Sequence, residues 1–372
     1  MSFTYTDEQS MLDETLTAVL EEFCHRSTTS EDYRAVAWQK LTELGLPAMP
    51  YAEIDGGLGS SIADQMVVQR AIGRSALDLP FLPNSIVAGG MVAFLLKGGH
   101  ASALIASLIA GDAKLSFAHD EPLDRHRNGV VATAATPVDG GFVLSGVKSR
   151  VLHGDCATYF LVSASLGGAP EPCLFLVPAG GKGVSIASNG GRAGVWASDV
   201  RFDDVFVPAG ELIAEPAEAS ALIRVALDRA LVATVHEMVG AMERLQDLTV
   251  DYLKLRKQFG ATLGSFQCLQ HKAVDMYVEL EQARSMAIYA TAMLAADEDD
   301  RNAAAIAAKL QVGRSARFLG ETAVQLHGAI GMTMESETGR LFRRLTALQF
   351  LFADGDQCLA GLGARPASIL ED

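Results

Sequence analysis

The sequence predicts an α+β multidomain protein in which helices come first, short strands follow and longer helices end the chain. Apolar residues recur at helical spacing up to about residue 113. From about residue 114 the chain becomes rich in Gly, Val and Ser, with short β-branched and aromatic runs between turn signals. We therefore expect an N-terminal helical domain over 1–113, a middle β-sandwich or barrel over 114–212, and a C-terminal antiparallel four-helix bundle over 213–372.

Composition excludes several classes of protein. A net charge of −15 leaves no basic surplus to neutralise nucleic-acid phosphates, so nucleic acid is not an expected partner. The five cysteines are odd in number and form no CxxC pair, which argues against a disulfide framework and against a metal site. The N-terminus shows no export signal, and no run of about 18 apolar residues occurs. A cytoplasmic protein that does not span a membrane is expected.

The helical segments carry recognisable start and stop signals. Thr6 to Gln9 resembles a capping box, and Ser60 and Ser61 can cap the helix that follows the Gly-rich loop at 55–59. Gly45 is expected to end the second helix. Together with a first helix from about residue 7, helices are predicted over 31–44, 62–74, 84–97, 101–110, 217–255, 264–296, 300–326 and 336–351.

Strands are predicted only between these two helical regions. Turn signals at 139–141 and 179–181 separate short β-branched and aromatic runs. The predicted strands include 129–133, 141–144, 158–162 and 174–177. No strand-linked GxGxxG and no P-loop accompanies them, which excludes a Rossmann or NTPase interpretation.

Four segments give the chain a family resemblance. They read EIDGGLG at 53–59, RKQFG at 256–260, GSFQ at 264–267 and QLHGAIG at 325–331. With the order helices, strands, helices, they resemble the acyl-CoA dehydrogenase superfamily over essentially the whole chain. The resemblance implies an FAD-dependent oxidoreductase that removes an α-proton and a β-hydride from an acyl-CoA thioester.

The resemblance also implies which residues hold the tail of FAD. Arginine suits a pyrophosphate, and an aromatic ring can pack beside adenosine. The implied cofactor residues are Arg256, Phe259, Gln267, Gln325, Gly328 and Ala329, the first three contacting FAD of a neighbouring subunit. Ala329 replaces a family glycine, and its methyl group reduces backbone clearance. Taken alone, Arg256 could be an ordinary charge at a helix C-terminus and Phe259 a core residue.

The catalytic base is less well specified. Most family members carry a glutamate after the last long helix, and an ungapped count places Phe352 there. A two-residue shift brings Asp354 into register, so Asp354 is the predicted base, with a turn residue before Gly355 as the alternative. A second branch of the family takes its base from the first helix after the strands, where this chain has Ala230.

Carboxylates near the second position do not replace the missing base. Asp228 lies two positions from Ala230, which turns it off the required helix face, and Glu237 lies further along. A helix-surface or cofactor-proximal role is expected for Asp228. By strict count, neither standard position carries a carboxylate.

The middle region departs from the family pattern as well. Charged and bulky residues at 118–125 replace a Gly-rich segment that covers the flavin in relatives. Leu152 stands where a threonine hydroxyl meets the flavin edge. Arg150 and His153 are expected at a solvated strand end.

These departures resemble a bacterial subgroup of heteromeric enzymes that act on steroid, dicarboxylic or alicyclic acyl-CoAs. The implied protein is an acyl-CoA dehydrogenase or a subunit of one, for a bulky or unusual acyl chain. It would be a homodimer, a homotetramer or a heterotetramer with a related subunit, with electron-transfer flavoprotein as acceptor. Two alternatives are a non-catalytic partner subunit and a flavin oxidase or monooxygenase on the same fold.

Overall fold

The protein is described by a computed structural model, which covers residues 5–24, 31–95, 99–122, 131–191, 194–296, 300–333 and 335–364. The chain divides into two compact units. The first combines residues 1–30, 61–78 and 228–372, and the second combines 31–60 and 79–227. The domain boundaries near residues 113 and 212 stay a prediction.

The helices follow the order predicted from apolar spacing. In chain order they are α1 Asp7–Cys24, α2 Glu31–Glu43, α3 Ile62–Arg74, α4 Gly90–Leu95, α5 Gly99–Ile109, α6 Pro216–Leu255, α7 Gln267–Ala296, α8 Arg301–His327, α9 Glu337–Leu348 and α10 Gly355–Gly363. The first unit holds α1, α3, α7 to α10 and most of α6. No helix in the described ranges combines the length and the apolar character that crossing a membrane requires.

Both predicted helix starts are confirmed. The Gln9 amide N–H donates to Thr6 Oγ1 at 3.2 Å, and Thr6 N–H donates to Gln9 Oε1 at 3.2 Å. Ser61 and Asp64 form the same reciprocal pair at the start of α3. Each cap satisfies backbone donors that a helix cannot pair internally and contributes about 1 kcal/mol.

Two glycines let α3 and α6 approach closely in the first unit. A Cβ on Gly240 would lie 2.0 Å from the Arg70 carbonyl oxygen, and one on Gly73 would lie 2.1 Å from the Glu237 carbonyl oxygen. Beside this contact the buried Glu243 carboxylate pairs with Arg70, Arg74 and Arg284. A charged cluster therefore joins three helices of this unit.

A π-helix, Leu82–Gly89, precedes α4 in the second unit. The sequence predicts one continuous α-helix over 84–97, and this expectation is wrong over its first turns. Asn84 is buried, and its Oδ1 accepts a hydrogen bond from Leu115 N–H at 2.7 Å. A Cβ on Gly89 would lie 2.4 Å from the Asn84 carbonyl oxygen. Gly89 follows Asn84 by five residues, so this close approach is the backbone spacing of the π-helix itself.

One eight-stranded sheet forms the centre of the second unit. Its strands are β1 Leu115–Ala118, β2 Ala134–Val138, β3 Gly141–Leu152, β4 Tyr159–Leu166, β5 Pro172–Pro178, β6 Val184–Ser188, β7 Ala197–Pro208 and β8 Leu212–Ala214. Their order is β6-β7-β3-β2-β4-β5-β8, with β1 also paired to β4. Most neighbours are antiparallel, but β1 and β2 each pair with β4 in parallel. The order helices, sheet, helices confirms the predicted fold class.

The predicted strand at 129–133 is misplaced. Residues 129 and 130 lie outside the described residues, and 131–133 form no strand. The N–H groups of Ala132 and Thr133 donate to the Glu121 carboxylate at 2.7 and 2.9 Å. Because these donors are occupied, the strand begins one residue later, at Ala134.

Candidate functional site

A short hairpin follows α6 and carries the predicted Arg256 and Phe259. The strands β9 Lys257–Gln258 and β10 Ala261–Thr262 pair in antiparallel fashion. Leu263 N–H donates to the Arg256 carbonyl at 2.8 Å, which closes the base of the hairpin. Phe259 and Gly260 form the tip, with φ of +54° and +79°. Positive φ at both central residues defines the turn that matches the twist of a hairpin.

Phe259 is strongly exposed. Its side chain is 91% accessible, with only an edge-on contact to Phe266 at 6.3 Å between ring centroids. A bulky residue at positive φ is unfavourable, so neither packing nor backbone preference explains the phenylalanine. The alternative that Phe259 is a core residue is wrong.

Arg256 and Gln267 lie on either side of the same hairpin. Arg256 is exposed immediately after α6, and its guanidinium has no ion pair within the described part of the chain. Gln267 is the first residue of α7, and its side chain is exposed as well. Both side chains are therefore available to a ligand.

The second predicted segment ends α8. Gly328 caps this helix with φ +67° and ψ −147°, a conformation that only glycine adopts readily. A Cβ at this position would meet no atom within 4 Å, so open space faces the backbone. Ala329 is exposed and does not share the positive φ, so its methyl group costs no backbone strain. Gln325 is exposed one turn earlier.

An aromatic pair joins the two segments. Tyr252 of α6 and His327 of α8 stack with ring centroids 4.5 Å apart and an interplanar angle of 25°. Tyr252 precedes Arg256 by one helical turn, and Arg256 N–H donates to its carbonyl at 2.8 Å. Burial lowers the pKa of His327, whose Nδ1 donates to the Ala323 carbonyl at 2.9 Å. The stack thereby links the end of α6, just before the hairpin, to the end of α8, just before Gly328.

These features fit the adenosine-pyrophosphate part of FAD. The Arg256 guanidinium could bind the pyrophosphate, and Phe259 offers an uncovered ring face to the adenosine. The open backbone at Gly328 leaves room for the adenine-ribose part. The bound flavin would supply the hydride acceptor, and these residues would hold only its tail.

Asp354, the predicted base, caps a helix. Its Oδ1 accepts from Gln357 N–H at 2.9 Å, and Gln357 Oε1 accepts from Asp354 N–H at 2.9 Å. The side chain is half-buried at the start of α10. Sequence reasoning missed this helix, although an aspartate followed three residues later by a glutamine is a capping-box signal. The carboxylate has a structural partner, and its role as base stays a prediction.

Neither standard base position offers a substitute. Ala230 is fully buried in α6, and Phe352 lies in a turn with φ +63°. Glu237 is fully buried and binds Arg344 Nε at 2.6 Å and Gln69 Nε2 at 2.5 Å. Burial raises the pKa of Glu237, although Arg344 opposes the shift. A buried carboxylate held on both sides serves the packing of this unit.

Asp228 does not lie on the helix surface, which is one of the two roles expected for it; the cofactor-proximal role stays a prediction. Asp228 is only 3% exposed, and its Oδ1 accepts from Asn302 Nδ2 at 2.6 Å. Arg301 Nε lies 3.5 Å from the other oxygen. Asp228 therefore ties α6 to the start of α8.

In the second unit, residues 118–125 replace the family's flavin-covering loop. This segment contains Glu121, which forms a buried ion pair with Lys148. Glu121 is 7% exposed and accepts from the fully buried Lys148 Nζ at 2.8 Å. Thr133 adds its N–H and its Oγ1, at 2.9 and 2.7 Å. Residues 123–125 of the predicted segment lie outside the described residues. The charge of Glu121 is structural.

The expectation of a solvated strand end is half right. Arg150 is exposed and pairs with Asp120 at 3.0 Å. His153 is 2% exposed, so its expected solvation is wrong. Arg34 covers it, because one guanidinium nitrogen lies 3.3 Å from His153 Nδ1 while the group stacks 4.0 Å above the Trp196 ring. Leu152 is buried and brings no hydroxyl.

One cluster in this unit has the donor types of a metal site. His153, Asp155 and Cys156 place their ligand atoms within 4.8 Å of one another. Arg34 already forms an ion pair with the Asp155 carboxylate. A guanidinium at that position repels a cation, so this geometry does not favour metal binding.

Comparisons with known proteins identify the family of the chain. A family model described as acyl-CoA dehydrogenase, C-terminal domain matches residues 221–355, and the N-terminal domain model of the same family matches residues 6–101. The two matches together span more than half of the chain. The chain belongs to the acyl-CoA dehydrogenase family. The resemblance in sequence motifs is thereby confirmed, and the chain is an FAD-dependent oxidoreductase of this family.

Individual relatives match over nearly their full length. Benzylmalonyl-CoA dehydrogenase of Aromatoleum aromaticum is 27% identical, with 92% of this chain and 93% of the relative aligned. A chain of the ChsE4-ChsE5 complex of Mycobacterium tuberculosis superposes with a TM-score of 0.86 at 22% identity. The superposition covers 99% of this chain and 100% of the matched chain. The Tcur3481-Tcur3483 steroid acyl-CoA dehydrogenase gives a TM-score of 0.83 at 25% identity, covering 96% and 97%.

Proposed function

We propose that this chain is one subunit of a heteromeric FAD-dependent acyl-CoA dehydrogenase that acts on a bulky or unusual acyl-CoA. One observation carries the proposal. The residues that fit the tail of FAD are exposed and adjacent, whereas Ala230 and Phe352 occupy the base positions and the Asp354 carboxylate caps α10. The chain is better equipped to hold the cofactor than to take the α-proton.

In this proposal Arg256, Phe259 and Gln267 complete the FAD site of a neighbouring subunit. A two-residue hairpin tip that holds a phenylalanine at positive φ and 91% exposed is costly for an isolated chain. A ring of FAD packed on Phe259 would recover the apolar burial that the free chain lacks. Gln325, Gly328 and Ala329 line the adenine-ribose part of the same cofactor.

The missing base favours a related chain as partner. Removal of an α-proton needs a carboxylate in hydrogen-bond reach of the substrate, and a displacement of about 1 Å can cost about a hundredfold in rate. Asp354 is one methylene shorter than glutamate and is bonded to Gln357. A partner that carries the family glutamate would supply a base with the longer side chain and without a competing hydrogen bond. Asp354 is the alternative base, and loss of proton removal in an Asp354 variant would assign that role to this chain.

Relatives support the substrate class and the pairing. One solved structure of the same fold is named as the ChsE4-ChsE5 complex, and another is named as a Tcur3481-Tcur3483 steroid acyl-CoA dehydrogenase. The relative from Aromatoleum aromaticum acts on benzylmalonyl-CoA by its name. We infer a ring-bearing acyl-CoA substrate, with electrons passing to an electron-transfer flavoprotein.

Co-purification tests this proposal. The chain is expressed alone and together with a family member that carries the glutamate, and FAD content is measured after gel filtration. We expect stoichiometric FAD and ring-bearing acyl-CoA turnover only in the two-chain assembly. Robust turnover by the lone homo-oligomer would refute the subunit role, and failure of both preparations to take up FAD would refute the cofactor role. Oxygen consumption that matches substrate turnover would instead indicate an oxidase.

A further inference from the structure

A buried lysine lies beneath the segment that connects α9 to α10. Lys309 of α8 is 2% exposed, and its Nζ donates to the Leu348 carbonyl at 2.5 Å. Leu348 is the last residue of α9, where carbonyls have no partner within the helix. A lysine is almost never fully buried without a paired charge, so its position calls for a physical reason.

The groups that face Lys309 come from three helices. Leu348 of α9 supplies the carbonyl acceptor, and no carboxylate of the described residues hydrogen-bonds to the amine. Glu237 of α6 acts on the amine electrostatically but is itself bound to Arg344. Asp354, the N-cap of α10, and Cys358 within α10 also act on the amine electrostatically, and Cys358 is 1% exposed. The amine is therefore surrounded by groups that compensate its charge only in part.

The segment above Lys309 matters for the predicted chemistry. From Leu348 the chain runs through Phe352, whose φ of +63° marks a sharp turn, to the N-cap Asp354. Residues 349–354 thus contain both the aligned base position and the predicted base. Lys309 binds one end of this segment and lies near the other.

We propose that Lys309 is a positioning residue that latches the 349–354 segment in place and releases it more often when the amine takes up a proton. Held against the protein interior, the amine is shielded from water, and this environment disfavours its charged form. When the segment lifts, the amine becomes hydrated and accepts a proton readily. Proton uptake therefore favours the lifted state.

The direction and the pH range of this effect follow from the burial of the Lys309 amine. Burial lowers the pKa of Lys309 to about 7 from its ordinary 10.5, although the charges of Cys358, Glu237 and Asp354 oppose the shift. The lifted state binds more protons than the latched state between these two values. Opening should increase as pH falls from about 10 to about 7 and should level off below 7. The catalytic importance of the latch rests on the proposed function, but the latch itself does not.

Hydrogen–deuterium exchange of the full chain as a function of pH tests the latch. Exchange rates are corrected for the intrinsic pH dependence of amide exchange. In the wild-type chain, protection of peptides covering 349–354 should fall by up to about tenfold for each pH unit between about 9 and 7. In Lys309→Met the same peptides should show no pH dependence. Lys254→Met, which removes a 69% exposed lysine, is the matched control and should keep the wild-type slope.

Two results would overturn the latch: wild-type protection that does not change with pH, or a Lys309→Met slope equal to the wild-type slope. If Lys309→Met does not fold, Lys309→Arg replaces it. Its permanent charge predicts low protection at every pH, and a wild-type slope in that variant would contradict the latch. FAD content is measured in the same samples, so loss of the proposed function is seen separately from loss of the latch.

Discussion

Tyr252 and His327 stack 4.5 Å apart and hold together the two segments that fit the tail of FAD. One ring lies a turn before the Arg256 hairpin, and the other immediately precedes Gly328. Thr338 Oγ1 lies 3.3 Å from His327 Nε2, and Ala323 accepts from its Nδ1, so the imidazole is fixed on both edges. Neither aromatic residue needs to touch the cofactor to determine its site.

Removal of this stack should weaken FAD binding. An aromatic pair contributes about 0.5–1.5 kcal/mol beyond its buried area. We expect Tyr252→Ala to raise the Kd for FAD by about tenfold. Tyr252→Phe should bind FAD like the wild type, because the ring remains and the hydroxyl lies 3.4 Å from its acceptor. Fluorescence titration with FAD measures both, and Tyr277→Ala, at an exposed tyrosine of α7, is the control. An unchanged Kd in Tyr252→Ala would contradict the positioning role.

Phe259 should destabilise the free chain and favour FAD binding. Phe259→Gly removes a side chain at positive φ, which should stabilise the free chain by about 1 kcal/mol. The same change removes the exposed ring and should abolish retention of FAD in the assembled protein. Thermal unfolding and FAD content after gel filtration measure the two effects. If both stability and FAD content stay at wild-type values, Phe259 has no role in the site. Phe318→Ala removes a partly exposed ring from α8 and should leave FAD content unchanged.

The Glu121–Lys148 pair should behave as a buried ion pair. Lys148→Met leaves a buried carboxylate without its counter-charge and should destabilise the protein by about 3–5 kcal/mol. Lys148→Met combined with Glu121→Gln should recover much of that loss. Chemical denaturation measures each free energy of unfolding. A double variant as unstable as Lys148→Met would show that the charge itself is not the cause.

The same pair predicts a dependence on acid. Burial alone would raise the pKa of Glu121, but Lys148 and Thr133 hold it at about 2 instead of 4.5. The folded pKa lies below the unfolded one, so the stabilisation is complete above pH 4.5 and is lost as pH falls toward 2. In the Lys148→Met, Glu121→Gln double variant, the free energy of unfolding should not show this decrease between pH 4.5 and 2. Equal slopes in the wild type and the double variant would contradict the assignment.

The contact between α3 and α6 should tolerate no side chain at Gly240. Gly240→Ala places a methyl group against the Arg70 carbonyl and should cost about 1–3 kcal/mol. Gly313→Ala is the matched control, because its Cβ would meet no atom within 4 Å in α8. That change should stabilise the helix by about 0.5–1 kcal/mol. Denaturant midpoints of both variants test the contact, and equal effects would show that helix propensity alone decides them.

Periodicity and end signals predicted most of the helices. The capping pairs at Thr6 and Ser61 and the stop at Gly45 are local, so the sequence specifies them without tertiary information. The π-helix could not be foreseen, because its Asn84 accepts a hydrogen bond from the backbone N–H of Leu115, which is distant in the sequence. Parallel pairing of β1 and β2 with β4 is likewise a non-local outcome.

The site was predicted unevenly for the same reason. Arg256, Phe259 and Gly328 could be chosen from short motifs, and each is exposed in the structure. The burial of Asp228 and His153 depends on Asn302 and Arg34, which lie far away in the sequence. The cap formed by Asp354 and Gln357 is a local signal, since an aspartate followed three residues later by a glutamine specifies a helix start without tertiary information.

The role of Asp354 in proton removal decides between a partner subunit and an independent enzyme. Anaerobic reduction of the bound flavin by a ring-bearing acyl-CoA, followed by visible absorbance in the two-chain assembly, measures this step. Asp354→Asn preserves the helix cap and removes the carboxylate. We expect its rate to stay within about twofold of the wild type, because the related chain supplies the base. A loss of about a hundredfold or more in Asp354→Asn would show that this chain carries the base itself.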